Sequence, residues 1–175
     1  MFARCLAIVV LLAASAWLAP WLADARRLAQ LVAEPAPAHL PSPVPGARIY
    51  DSWGFERDGG KRRHEGIDIF APRGTPVVAT TRGRITRIGT NALGGKVVWV
   101  LGPGRQLHYY AHLDEIAARA AGDWVTPGEL LGRVGNTGNA RGGPTHLHYG
   151  IYAAGGAINP YPQLAPVLPL RQSVR

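Results

Sequence analysis

The sequence predicts an all-β domain, a small antiparallel β-sandwich or open barrel, preceded by an N-terminal hydrophobic helix. Three observations carry that expectation. All 22 glycines lie at or after Gly46, so the first 45 residues are a different material from the rest. The glycine-bearing part is rich in Val, Ile, Thr and Tyr, in short runs separated by turn signals, which is the pattern of a turn-dense β domain. The apolar run Leu6 to Ala23, broken only by Ser15 and Pro20, is long enough for a continuous helix.

In chain order, residues 1–25 read as a signal peptide or transmembrane anchor. Arg4 precedes the run, and Ala23-Asp24-Ala25 is an acceptable small-x-small cleavage site. Residues 26–47, with five prolines between Pro35 and Pro45, read as a semi-rigid extended spacer that holds the following domain off a membrane surface. Residues 48–164 form the folded domain, and residues 165–175 form a Pro-rich tail. Within the domain, strands are expected at Val77–Thr80, Gly83–Gly89, Lys96–Leu101, Gln106–His112, Leu130–Val134 and His146–Tyr152. A polar loop is expected at Asp58–Arg63 and a short helical turn or loop at Asp114–Ala121. The ten residues Gly135–Pro144 form a loop that delivers the chain to His146 and supplies one wall of a groove.

Composition excludes several functions. The single Cys5 rules out an internal disulfide and a thiolate metal cluster, and it precedes the apolar run, so it is not a lipoprotein acylation site. The formal charge of +8 comes from 19 basic residues, all Arg apart from Lys61 and Lys96. Apart from Lys61-Arg62-Arg63 they are scattered, with no basic helix, which argues against nucleic acid as partner. A solvated basic surface suffices, with an anionic wall polymer as the other partner that charge suits.

The chemistry concentrates in two segments, His64-Glu-Gly-Ile-Asp68 and His146-Leu-His148. Gly66 argues against a helix, and Asp68 stands where a helical HExxH zinc motif needs its second His. In extended chain, even offsets share a face, so His64 pairs with Asp68 and His146 with His148. Four such donors from distant segments suit zinc with a position left open for water, and a closed structural site is disfavoured because such sites are usually Cys-rich. Glu65 points away from His64 on this geometry and makes a poor general base. Alternation in Gln106–His112 puts His108, Tyr110 and His112 on one face and Leu107, Tyr109 and Ala111 on the other. Taken alone, His108 is an ordinary hydrogen-bonded residue, Tyr110 and Tyr149 are packed strand residues, and His39 is solvated.

These motifs resemble those of the lysostaphin/LytM-type zinc metallopeptidases, which cut peptidoglycan peptides. The match includes HEGID with IFAPRGTPVVA, then YAHL, VTPGELLGRVGNTG, GPTHLHYGI and INPYPQL, in order from about Asp51 to Leu164. The resemblance implies a LytM-like duplicated hybrid motif fold. It implies one zinc ion held by His64, Asp68 and His148, with His112 and His146 as catalytic histidines flanking the metal-activated water. The apolar N-terminal run adds the expectation of an exported enzyme of the cell envelope, anchored in the inner membrane by that segment, with a monomer as the default state. The chain departs from the pattern in lacking an aromatic between Gly94 and Gly95, in carrying His108 where a small hydroxyl is common, and in the Gly-Gly-Pro-Thr before His146. Two other functions compete. A non-catalytic peptidoglycan-binding module regulating another hydrolase is disfavoured because the ligand set is complete. A lipoyl or biotin carrier fails because Val125–Gly132, its turn-like stretch, holds no Lys.

Overall fold

The computed structural model describes residues 2–164, with side chains from Trp17 onward; the tail expected at 165–175 lies outside the described residues. The domain is built on antiparallel strands: β1 (Glu56–Arg57), β2 (Arg62–Arg63), β3 (Ile67–Phe70), β4 (Pro76–Val78), β5 (Gly83–Asn91), β6 (Gly95–Leu101), β7 (Leu107–Ile116), β8 (Trp124–Val125), β9 (Leu130–Val134), β10 (His146–Ala153) and β11 (Gly156–Ile158). The main sheet runs β11-β10-β7-β6-β5-β8, with β3 added to β10 and the β4–β9 pair joined through β7. β1 and β2 form a separate hairpin where a plain loop is expected.

Period-two patterning decides which face of each strand is buried. In β10, Leu147, Tyr149 and Ile151 are buried while His146 and His148, on the opposite face, are half-buried. In β3, Ile67 and Ile69 enter the same core as Val98, Val100, Tyr110, Leu131 and Tyr149. Of the stretch Asp114–Ala121, the first three residues extend a strand and the rest is loop, without a helical turn. β7 continues to Ile116 because β9 pairs with it, from Leu113 opposite Val134 to Ile116 opposite Gly132, and the partner strand satisfies the backbone.

Residues 26–47, expected as an extended spacer, are helical as far as Ala33 and packed on the domain beyond it. Helix α1 spans Phe2–Ala33, and Asp24, Arg27 and Leu31 recur at helical spacing along one face, with Glu34 just past its end. That face docks on the domain. The Trp124 indole donates to Asp24 at 2.7 Å, and Arg84 pairs with the same carboxylate at 3.1 Å. The Arg27 guanidinium lies 3.9 Å from the centroid of the Trp124 ring. Leu31 is 1% exposed, Glu34 pairs with Arg82, and the Gly104 amide donates to the Glu34 carbonyl. The proline-rich stretch is packed as well. Leu40 and Val44 are buried, the Leu40 amide donates to the Gln163 carbonyl, and the Val78 amide donates to the Pro43 carbonyl. Proline stiffens this segment without excluding it from the core, because the apolar residues between the prolines reach the domain and leave water. The domain therefore includes chain expected to be linker. A short α2 (Tyr161–Leu164) closes the fold beside Leu40. Among the described residues no helix is long and apolar enough to cross a membrane; most of the Leu6–Ala23 run precedes the first described side chain.

Candidate metal centre and active site

Sheet register brings the two motif segments together. β3 pairs with β10 so that Asp68 stands opposite His148, and on its other side His148 stands opposite Ala111 of β7. Directly opposed residues on one face have Cβ atoms about 5 Å apart, so the pairing alone makes Asp68 and His148 neighbours. His64 arrives by the turn at Gly66, where a Cβ would come within 2.6 Å of the Tyr149 carbonyl and 2.7 Å of the His148 ring. Only glycine lets this segment pass so close to β10.

His64, Asp68 and His148 each offer a donor atom, and the three donors lie within 4.8 Å of one another. Asp68 Oδ1 is 3.0 Å from His64 Nε2 and 3.1 Å from His148 Nδ1, and the two imidazole nitrogens are 2.9 Å apart. Burial opposes ionisation of Asp68, but the hydrogen bond from His148 and the close approach of the His64 ring outweigh it and hold the carboxyl well below its usual range. Burial also lowers the His148 pKa, against the pull of the Asp68 carboxylate. The first neighbours are fixed in turn. His64 Nδ1 donates to the Ser52 carbonyl at 2.7 Å, which leaves Nε2 with its lone pair toward the cluster. The Asp68 amide donates to Ser52 Oγ at 3.0 Å.

His112 and His146 complete the cluster, with ring centroids 4.9 Å apart and His146 Nε2 3.8 Å from Asp68 Oδ1. His112 Nδ1 donates to the Thr137 carbonyl at 2.8 Å and His146 Nδ1 to the Pro144 carbonyl at 2.9 Å. Both rings thereby keep Nε2 as the free nitrogen. Burial, with smaller contributions from the neighbouring imidazoles, holds His112 down at about 4, so it is neutral at neutral pH.

Strict alternation assigns His112 to the His108–Tyr110 face, and the structure puts it on the other one. Its φ of 62° is left-handed, and the registers of β7 with β6 and with β9 shift at this point. That conformation costs a non-glycine residue about 1–3 kcal/mol and is found where surrounding structure over-determines it, commonly at functional sites. Here the His112 amide donates to the Gly94 carbonyl at 2.7 Å. His108 stays in the core, its Nδ1 2.7 Å from the Tyr149 hydroxyl. Tyr110 and Tyr149 are packed beside it, both hydroxyls bonded to Thr80.

All five residues face a groove of about 830 Å³. Its aromatic wall comes from residues the sequence did not single out: Trp99 stacks 4.2 Å from Tyr109, and Tyr152 lies 5.4 Å from Trp99. The Gly135–Pro144 loop also lines the groove and is pinned to the domain. Thr137 Oγ1 accepts from the Lys96 amide and donates to the Leu113 carbonyl, both at 2.9 Å, and the Asn139 amide donates to the Leu93 carbonyl at 3.0 Å.

The model of peptidase family M23 matches residues 62–160. The chain belongs to peptidase family M23. It is 39% identical over 137 residues to the L-Ala–D-Glu endopeptidase of Bacillus subtilis, covering 71% of this chain and 42% of that protein. It is 38% identical over 112 residues to the DD-carboxypeptidase/endopeptidase Mpg of Neisseria meningitidis serogroup B, covering 64% of this chain and 25% of that protein. The chain thus spans less than half the length of both M23 relatives. Among solved structures, the catalytic domain of lysostaphin from Staphylococcus simulans superimposes with a TM-score of 0.59 at 27% identity, covering 68% of this chain and 92% of that one. The antiparallel architecture is that of the LytM/M23 fold.

Proposed function

We propose that this M23 chain is a zinc-dependent endopeptidase that hydrolyses peptide bonds of peptidoglycan in the cell envelope. The observation that carries the proposal is the convergence of three ligand atoms within 4.8 Å of one another, flanked by two imidazoles with free Nε2 atoms, in one groove. The donor set of two neutral imidazoles and one carboxylate suits zinc with a position left open. His64, Asp68 and His148 would hold it. When bound, zinc would lower the pKa of a coordinated water and polarise the scissile carbonyl.

The protein's own groups do the rest. The groove lays the peptide against the aromatic wall of Trp99, Tyr109 and Tyr152. His112 and His146, each with Nδ1 tied to a carbonyl, accept protons at Nε2. One takes the proton of the attacking water. As the C–N bond breaks, the imidazolium so formed returns its proton to the departing amine, and the other histidine, when it carries a proton at Nε2, donates a hydrogen bond to the oxygen that gains charge. The peptidoglycan substrate is supported by the endopeptidase relatives. The Leu6–Ala23 run supports export to the cell envelope.

The full-length chain, loaded with zinc, is to be incubated with purified peptidoglycan and the soluble fragments identified by mass spectrometry. New amino termini that disappear with chelator are expected, and their identity names the bond. No release from zinc-loaded protein that still binds peptidoglycan would favour a non-catalytic binding module.

A further inference from the structure

We propose that Arg57 is a positioning residue for Asp68, holding its carboxylate so that one oxygen faces the two imidazoles and the other is kept away from them. The inference rests on the reading of His64, Asp68 and His148 as metal ligands.

The two oxygens of Asp68 have different partners. Oδ1 faces His64 Nε2 and His148 Nδ1 at 3.0 and 3.1 Å, whereas Oδ2 accepts from Arg57 Nη2 at 2.5 Å. The carboxylate is only 10% exposed, while the Arg57 side chain is 36% exposed and reaches in from the β1–β2 hairpin. That hairpin is tied to the metal centre itself. The His64 amide donates to the Phe55 carbonyl and the Gly54 amide to the His64 carbonyl, so the strand carrying Arg57 is aligned by His64. Its turn is closed by Arg62 Nε donating to Asp58 Oδ2 at 2.5 Å.

An aspartate carboxylate turns easily about its terminal bond. Unrestrained, it can present both oxygens to a cation, filling the position that a catalytic site keeps open. A charge-assisted hydrogen bond to Oδ2 selects the orientation with one oxygen inward. The positive charge of Arg57 opposes a bound cation, but its outer side is screened by water, while the contact with Oδ2 is short and shielded. Orientation therefore outweighs repulsion, and removal of Arg57 weakens metal binding. Partners of metal ligands typically contribute about 10–100-fold in affinity.

Zinc affinity of the full chain, measured by competition with a chromophoric chelator, tests this without any assay of hydrolysis. Arg57→Ala is expected to bind zinc about 10–100-fold more weakly. Arg57→Lys should recover part of that loss, because a single donor atom makes the contact. The visible spectrum of the cobalt-substituted protein should be intense and four-coordinate in wild type, and weaker in Arg57→Ala as the second oxygen turns inward. Should Arg57→Ala fail to fold, Arg57→Lys decides by the same two readouts: a cobalt spectrum of wild-type shape with reduced affinity supports the role. Zinc affinity and cobalt spectrum both unchanged on losing the guanidinium, or tighter binding, would overturn it. If wild type holds no zinc at all, the ligand reading fails and this role with it. If wild type holds zinc and Arg57→Ala matches it in both zinc affinity and cobalt spectrum, only the role of Arg57 fails.

Discussion

Lowering the pH from 8 to 5 should destabilise the domain through one buried histidine outside the groove. His108 is fully buried, with Tyr149 on Nδ1 and no hydrogen-bond partner for Nε2 among the described residues. Burial holds its pKa at about 4, against 6.5 for a free side chain. The depressed value fixes the sign: the unfolded chain takes up the proton first, so stability is intact above pH 6.5 and is lost as pH falls toward 4. Linkage between those two values gives about 2 kcal/mol lost between pH 8 and pH 5 from this residue alone. Other buried groups titrate too, so the comparison must be with a variant. His108→Asn keeps a polar atom near the Tyr149 hydroxyl and removes the titration. Urea unfolding of both proteins at pH 8 and pH 5, with chelator present so that metal ligation does not contribute, isolates the effect. Wild type should lose about 2 kcal/mol more than the variant over this interval. Parallel losses in the two proteins would refute the argument, whatever constant difference the substitution adds.

Further outcomes follow from the docked helix and the site. Leu31→Ala should destabilise the domain by about 2–5 kcal/mol in chemical denaturation, as for other buried leucines, whereas a free spacer would show no effect. At position 112 the left-handed backbone suits glycine, so His112→Gly should unfold about 1 kcal/mol later than His112→Ala although both lose hydrolysis. His146→Ala should reduce turnover about 100-fold or more while zinc content by atomic absorption stays at wild-type level. Asp68→Ala should lose the metal as well, because a ligand is gone.

Much of the site was legible because the strands that carry it are regular. His146-Leu-His148 alternates across a sheet, and a period of two is enough to place both imidazoles on one side with Leu147 and Tyr149 in the core. His64 and Asp68 were legible as a pair only because Gly66 excluded a helix. His112 defeated the same rule, since a positive φ within β7 reverses the face and leaves no mark in local composition. Ser52 and Arg57 hold His64 and Asp68, 12 and 11 residues away, through contacts set by tertiary folding, for which a single sequence carries no signal. The proline-rich stretch misled for a different reason. Proline density reports stiffness, whereas burial of Leu40 and Val44 depends on where that stiff segment runs. The α1 face was readable in principle from the spacing of Asp24, Arg27 and Leu31, but its partner, Trp124, lies 100 residues along the chain from Asp24.

The most direct test of the central claim is mass spectrometry of peptidoglycan fragments released by the zinc-loaded full chain, with and without chelator and beside His146→Ala. The account predicts new peptide termini from wild type alone, abolished by chelator and restored by added zinc. Cleavage that persists in chelator, or that His146→Ala carries out at the wild-type rate, would contradict it.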